Sequence, residues 1–415
     1  MFKTDFLSVL IFLSCDAYAA QNSNLIPPWP PTYSMRASTI FMPCAPSGVL
    51  PAPFPPAQAA AWGWRSFDWT NGMAEWARAA PQSCEEALVS QADATDAIGA
   101  GGRSFVYRNS IKALPWFTSV RKKLLDRAFE RWFLPWAACK GYDCGDNATA
   151  NLYHSFLQTP NATGDCGAGV VCAQYFFDVR NESLRAWLAS DYILGPTGLG
   201  RPSIRGYYFD DLWYPQGPGD MPAGIVSAAC NLSAAEVADL EAASVLSRAQ
   251  MNNATNAAGG FNWQQLVQIP EYPNTAATAQ QNCAPFMARY CGANSSTQRA
   301  ATLMILSKPN ASAFWPLPFA SQDTAQFLLV RGPYAWLGYG WSSCHQPSAF
   351  VRPPEFDVDY GEPLGFCAES APGSGVWERE YSSFKIALDC GSFSATFTPK
   401  AAPAMAPAAA PPGRQ

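Results

Sequence analysis

The sequence predicts an α/β chain: a (β/α)8 TIM-type barrel with a small C-terminal antiparallel β appendage. Three observations predict it. Short apolar runs rich in aromatic and β-branched residues recur between residues 38 and 341, a composition that favours strands. Helical periodicity fills several intervals between them, and alternating strand and helix implies a parallel sheet. Eight such runs imply closure into a barrel. A doubly wound open sheet competes with this reading, but no Gly-x-Gly-x-x-Gly follows the first run.

The expected strands, in order, are Ser38–Pro43, Trp64–Trp69, Ser104–Arg108, Gln174–Asp178, Gly206–Asp210, Gly260–Gln264, Thr302–Leu306 and Tyr334–Trp341. Between them, Val120–Trp136 carries Leu124, Leu125, Phe129 and Phe133 at helical spacing. Glu182–Leu194 repeats the pattern with Leu184, Trp187, Leu188 and Tyr192. Ser233-Ala-Ala-Glu236 is a capping box that opens a helix running to about Met251. Asp323–Val330 reads as a helix closed by Gly332-Pro333, with a strand as the alternative. Past the barrel, Val376–Tyr381, Phe384–Asp389 and Phe393–Thr398 are short β-like runs separated by Ser/Gly turns. Asp357-x-Asp359-Tyr-Gly-Glu362 reads as the hinge into them. The expected organisation is a signal peptide (1–19), an irregular lead-in (20–37), the barrel as catalytic domain (38–345), the β appendage (346–398) and an Ala/Pro-rich disordered tail (399–415).

Lys3, the apolar residues 6–14 and Ala17-Tyr-Ala19 form a charged, apolar and small-x-small series, as in a secretory leader. The predicted location is therefore extracellular or associated with a cell wall. Of 13 cysteines, Cys15 falls in the leader, and an even dozen remains for disulfides. Spacing points to the local pairs Cys139–Cys144, Cys166–Cys172 and Cys283–Cys291, and to the longer pairs Cys44–Cys84 and Cys344–Cys367. Asn-x-Ser/Thr sequons at Asn147, Asn161, Asn181, Asn231, Asn253, Asn294 and Asn310 predict a glycoprotein. Glycans would keep wet a surface drawn from a chain only 14% charged. A net charge of −5 argues against a nucleic-acid partner, and no segment is long and apolar enough for membrane insertion. Oligomeric state is unreadable.

Two histidines, His154 and His345, supply little for a Ser-His triad or a catalytic zinc site, and no cofactor or metal is expected. Carboxylate chemistry needs neither. The expected strand ends are Phe67-Asp68-Trp69, Tyr107-Arg108-Asn109, Phe177-Asp178-Val179-Arg180-Asn181, Asp210-Asp211 and Asn262-Trp263-Gln264. In a barrel such ends converge on one mouth. Paired carboxylates beside aromatic faces are the equipment of glycoside cleavage. Asp178, Asp210 and Asp211 are therefore the expected catalytic residues, with Asp211 favoured over Asp210 as the one facing the cleft. Asp68, Trp69, Arg108, Trp116, Trp263, Gln264 and Trp341 are the expected substrate-binding residues. Each has a plain structural alternative: aspartates cap loops, arginines pair with them, and many of 15 tryptophans must be core.

The same stretches carry a resemblance. Phe67-Asp-Trp-Thr, Val106-Tyr-Arg-Asn-Ser-Ile-Lys-Ala-Leu-Pro-Trp-Phe, Leu194-Gly-Pro-Thr-Gly-Leu-Gly, Gly206-Tyr-Tyr-Phe-Asp-Asp and Gly259-Gly-Phe-Asn-Trp-Gln resemble glycoside-hydrolase-like (β/α)8 proteins secreted by algae and oomycete-like eukaryotes. So do Phe327–Trp341, Asp359–Gly365 and Gly375–Tyr381, the last resembling the β appendage of such hydrolases. The resemblance spans roughly residues 38–398 and implies the barrel and a carbohydrate substrate or ligand. It brings no established nucleophile. The alternative function is a non-catalytic carbohydrate-binding or wall glycoprotein on a degenerate barrel.

Overall fold

The computed structural model describes residues 26–42, 53–134, 165–170, 172, 174–211, 227, 230–270, 275–306, 319–338 and 352–400. The leader, the tail beyond Lys400, both histidines, Trp341 and cysteines 44, 139, 144 and 344 lie outside them. The described chain is a mixed α/β protein built on one large parallel sheet. Its strands are β1 (Thr39–Phe41), β2 (Trp64–Phe67), β3 (Arg103–Asn109), β6 (Ile204–Asp210), β7 (Phe261–Asn262), β8 (Val267–Pro270), β9 (Thr302–Ile305) and β10 (Ala335–Gly338). Two further strands, β4 (Lys112–Ala113) and β5 (Tyr175–Phe176), pair antiparallel in a separate ribbon.

The spatial order is β7-β6-β3-β2-β1-β10-β9-β8, so the edge strands are β7 and β8. These edges are neighbours in sequence, joined by the single 3-10 turn Trp263–Gln265. From Asn262 to Val267 the chain reaches at most about 17 Å. Eight strands laid flat would hold their edges roughly 34 Å apart. The sheet must therefore curl until its edges lie within that reach. The contents of the curl agree: Ile40, Trp64, Phe105, Phe261, Leu303 and Trp336, from six of the strands, form one buried cluster. Trp64 stacks on Phe105 and leans on Trp336, with ring centroids 4.4 Å apart in each case. Trp29 of the lead-in meets Trp64 and Phe261 edge-on. Gly206 makes room for this filling, because a Cβ there would lie 1.8 Å from the Phe261 carbonyl oxygen and 2.4 Å from the Phe105 ring.

Eight parallel strands are present, but they are not the expected eight. Gln174–Asp178 contributes β5 to the antiparallel ribbon with β4, outside the main sheet. The run Gly260–Gln264 yields only the two residues of β7 before the 3-10 turn, and β8 resumes the strand beyond it. No helix separates β7 from β8, so strict βα alternation fails at this point.

The helices also depart in detail. Val120–Trp136 is a helix over Thr118–Leu125 and then a 3-10 turn over Arg127–Trp132. Asp126 breaks it: extended at that point, it accepts a hydrogen bond from the Ala128 amide. Glu182–Leu194 is broken at Ser190 into Glu182–Ala189 and Asp191–Leu194. The Ser233–Glu236 capping box is formed, and its helix continues past Met251 to Ala257. Ala320–Val330 is a helix.

A four-stranded antiparallel sheet follows, made of β11 (Ala368–Glu369), β12 (Val376–Glu380), β13 (Phe384–Asp389) and β14 (Ser394–Pro399) in chain order. Two disulfides tie it to the helix Ala276–Tyr290 and its end, Cys283–Cys390 and Cys291–Cys367. They replace the expected Cys283–Cys291 and Cys344–Cys367. Cys166–Cys172 is formed as expected. Cys84 is a buried free thiol, not half of a pair with Cys44.

Candidate active site

Side-chain parity organises the C-terminal ends of β2, β3, β6 and β7. Phe105 points into the curl, so Tyr107 and Asn109 share its face and Arg108 takes the other. The register pairs Tyr107 with Tyr208 and Asn109 with Asp210, which carries the same parity onto β6. Continuing the β2 and β7 ladders by one residue sets Asp68 beside Tyr107 and Trp263 beside Tyr208. Asp68, Tyr107, Tyr208 and Trp263 thus form a row across four neighbouring strands, one layer above the aromatic filling. The Tyr107 and Tyr208 rings lie 6.1 Å apart, and Trp263 meets Tyr208 edge-on at 5.3 Å.

Above the row sit two consecutive carboxylates. Asp210 follows strand parity: its Oδ2 accepts from Tyr107 Oη at 2.8 Å, and its Oδ1 lies 3.3 Å from Tyr208 Oη. Asp211 should turn to the opposite face. It does not, because its backbone is left-handed (φ +57°), a conformation aspartate tolerates better than most residues. The turn swings its carboxylate onto the same cluster, where Asn109 Nδ2 donates to Oδ2.

The exit of β3 completes the arrangement. Asn109 Oδ1 accepts from the amides of Ile111 (2.9 Å) and Lys112 (2.6 Å), folding the chain back over the strand end. This return places Lys112 Nζ 3.1 Å from Asp211 Oδ1 and 3.0 Å from Oδ2. Asp211, Asp68, Tyr107 and Asn109 are buried, whereas Asp210, Tyr208, Lys112, Trp263 and Gln264 are half-buried.

Three acids and one cation in so dry a place shift the ionisation. Burial pushes Asp68 up to about 6, against hydrogen bonds from the Thr70 amide and hydroxyl that hold it down. Burial also raises Asp210 and Asp211 above the ordinary carboxylate range. Asp210's charge raises Asp211 further, while Lys112 and Asn109 pull it back. The group can therefore hold a proton near neutral pH, as acid–base chemistry requires.

Trp263 and Gln264 stand on the 3-10 turn between β7 and β8. Gln264 Nε2 donates to the Phe209 carbonyl at 3.0 Å, which anchors the turn to β6. Trp263 Nε1 and Gln264 Oε1 are buried and have no hydrogen-bond partner among the described residues.

Four expected site residues belong elsewhere. Arg108 is wholly buried on the outer face, among Phe117, Tyr192 and Tyr207, 3.5 Å from the equally buried Glu85 and donating to the Thr197 carbonyl. Trp116 is fully buried, and Trp69 packs against it with centroids 5.2 Å apart; both are core. Asp178 lies beyond the antiparallel ribbon and makes two hydrogen bonds of 2.7 Å to Arg180. No hydrogen bond or ion pair among the described residues joins it to Asp210 or Asp211. Conversely, Tyr107, Asn109, Lys112 and Tyr208 were not expected. Counting alternate residues back from Asp210 and forward from Phe105 singles out three of them.

No protein-family model and no curated protein matches the chain. Among solved structures it is similar to a sucrose 6F-phosphate phosphorylase from Thermoanaerobacter thermosaccharolyticum, at 8% identity and a TM-score of 0.42, covering 88% of this chain and 95% of that one. It is also similar to a family GH13_31 enzyme (8% identity, TM-score 0.37, 86% and 93% covered). A third is the Nostoc punctiforme debranching enzyme (9% identity, TM-score 0.35, 87% and 90% covered). At such scores these likenesses carry no argument about this chain.

Proposed function

We propose that the chain is a secreted glycoside hydrolase acting on cell-wall or matrix polysaccharide, with paired-carboxylate catalysis at the strand-end cluster. The observation that carries the reading is the convergence of Asp68, Asp210 and Asp211 from two strands upon one row of aromatic side chains. Glycoside cleavage needs a carboxyl that gives its proton to the leaving oxygen as the C–O bond breaks. It also needs a carboxylate that takes a proton from the incoming water, or attacks first itself. Asp210 is the acid of this set that is half-buried, whereas Asp68 and Asp211 are buried. Trp263 offers an indole edge and an unpartnered N–H, and Gln264 an unpartnered carbonyl, which suit sugar hydroxyls. Asp178, held by Arg180, has no part in this proposal, nor do Arg108, Trp69 and Trp116. The three disulfides among the described residues favour an oxidising compartment, in keeping with secretion.

The test is release of reducing ends from a polysaccharide panel by the purified protein. Hydrolysis that is lost in Asp210→Asn and kept in Asp178→Asn supports the reading. Hydrolysis untouched by Asp210→Asn sinks it.

One observation favours the non-catalytic carbohydrate-binding alternative: two of the three expected catalytic acids, Asp178 and Asp211, are ion-paired to Arg180 and Lys112. Glycan-array binding that survives the double change Asp210→Asn and Asp211→Asn, with no hydrolysis by the unaltered protein, would decide for it.

A further inference from the structure

We infer that Asp211 is the standing anion of the cluster and Asp210 the carboxyl that holds and passes the proton, with Lys112 setting this order. The use of that proton rests on the glycosidase reading; the order itself does not.

Donor and acceptor accounting carries the inference. Asp211 faces donors that cannot accept. Lys112 Nζ lies against both its oxygens, and Asn109 presents its NH2 group. The Asn109 carbonyl oxygen is already taken by two backbone amides. A proton on Asp211 would therefore point at donors and find no acceptor among these contacts. It would also strip the counter-charge from an ammonium whose side chain is only 12% exposed.

Asp210 is placed differently. Tyr107 Oη accepts from Asn109 Nδ2 at 2.9 Å, which commits its own hydrogen to Asp210 Oδ2. The second oxygen, Oδ1, faces Tyr208 Oη, and a phenol oxygen can accept as well as donate. A proton on Oδ1 is thus satisfied, and it lies on the side of Trp263. Of the other groups that act on Asp210, the Asp211 amide and the more distant Lys112 charge favour its ionised form, and the negative charge of Asp68 on β2 favours the protonated one. Trp263 and Gln264, from β7, add no charge. Two adjacent carboxylates resist ionising together, so once Lys112 settles the charge on Asp211 the proton goes to Asp210. Lys112 and Asp211 are then positioning residues, and Asp210 the one that meets substrate.

The experiment is carboxyl carbon NMR of aspartate-labelled full-length protein across a pH series, with signals assigned by Asp210→Asn and Asp211→Asn. The signal lost in Asp211→Asn is expected to titrate below the one lost in Asp210→Asn, both above the ordinary carboxylate range. Lys112→Met should raise the Asp211 midpoint by about one unit or more, while Lys112→Arg preserves the order. These two variants leave both aspartates in place should either Asn variant fold poorly. A higher midpoint at Asp211 in the unaltered protein, or an unchanged order in Lys112→Met, overturns the inference. Absence of sugar release with the expected order intact would count against the glycosidase reading alone.

Discussion

Two buried charged clusters in this chain are built on opposite plans. At the seam between the helix Ala320–Val330 and the antiparallel sheet, Arg379 and Arg331 are buried, and among the described residues no carboxylate is hydrogen-bonded to either. Carbonyls serve instead. Arg379 Nη1 donates to Leu328, Leu329 and Arg331, and its Nε to Gly365, all within 3.1 Å. Arg331 donates to Thr32, Tyr33 and Ser38, drawing in the lead-in. The last carbonyls of a helix lack intrahelical donors, and a cation at that end is favoured by the helix dipole. Carbonyls thus meet most of the seam's donors, although Arg331 Nε has no partner among the described residues and burial lowers that guanidinium to about 10. The strand-end cluster has three acids to one lysine, raised carboxyl ionisation and an unpartnered indole N–H and amide oxygen beside it. Charge held by carbonyl dipoles makes structure. Acidic charge left in surplus in a buried cluster costs stability and is retained where chemistry needs it.

The largest expected effect would sharpen this contrast most. Asp210→Asn should lower hydrolysis by about a thousandfold while leaving thermal unfolding nearly unchanged. Initial rates and a melting curve on the same preparation check both halves. Arg379→Met should do the reverse, destabilising by about 3 kcal/mol or more, because three buried carbonyl contacts and a part-buried one lose their donor. Urea unfolding measures it, and hydrolysis by the folded fraction should be normal.

Asp68→Asn should stabilise. Its folded-state ionisation lies near 6, above an unfolded value of about 3.9, so the native form binds this proton more tightly. Stability from that group is full below pH 4, is lost as pH rises through 6, and stays lost above. Asparagine keeps an acceptor for Thr70 and removes the penalty. The gain should be roughly 3 kcal/mol at pH 8 and vanish near pH 4, read from unfolding at both pH values. A loss of stability at pH 8 would break the claim that this acid is held at a cost. The smallest effect is Tyr107→Phe, about 1 kcal/mol, with the acidic carboxyl of the pH–rate profile displaced because Asp210 loses its phenol donor.

Much of the site was legible in local sequence. Asp68, Asp210, Asp211 and Trp263 follow short aromatic runs, and such runs end at strand termini whatever their partners. Arg108 misled because the strand-end tripeptide was read without its parity: Phe105 inward forces Arg108 outward. Asp178 misled because Gln174–Asp178 has strand composition, and composition says nothing about which strand it will pair with. Lys112 gave no signal, since its meeting with Asp211 depends on a chain reversal at Asn109 and spans 99 residues. The disulfides failed for a similar reason: spacing does not determine connectivity, and Cys283 found Cys390 across 107 residues.

Sequence alone therefore determined the α/β class, the aromatic strands, the antiparallel C-terminal runs and the acids that end β2 and β6. These follow from side-chain chemistry and periodicity within a few residues. Tertiary structure alone decided which strands joined the sheet, where β7 gave way to β8, and that consecutive aspartates would share one face. It also decided which of them would be neutralised. Those outcomes depend on register, on one left-handed backbone angle and on contacts between residues some hundred positions apart, and burial makes each of them matter by removing the water that would otherwise screen the charges.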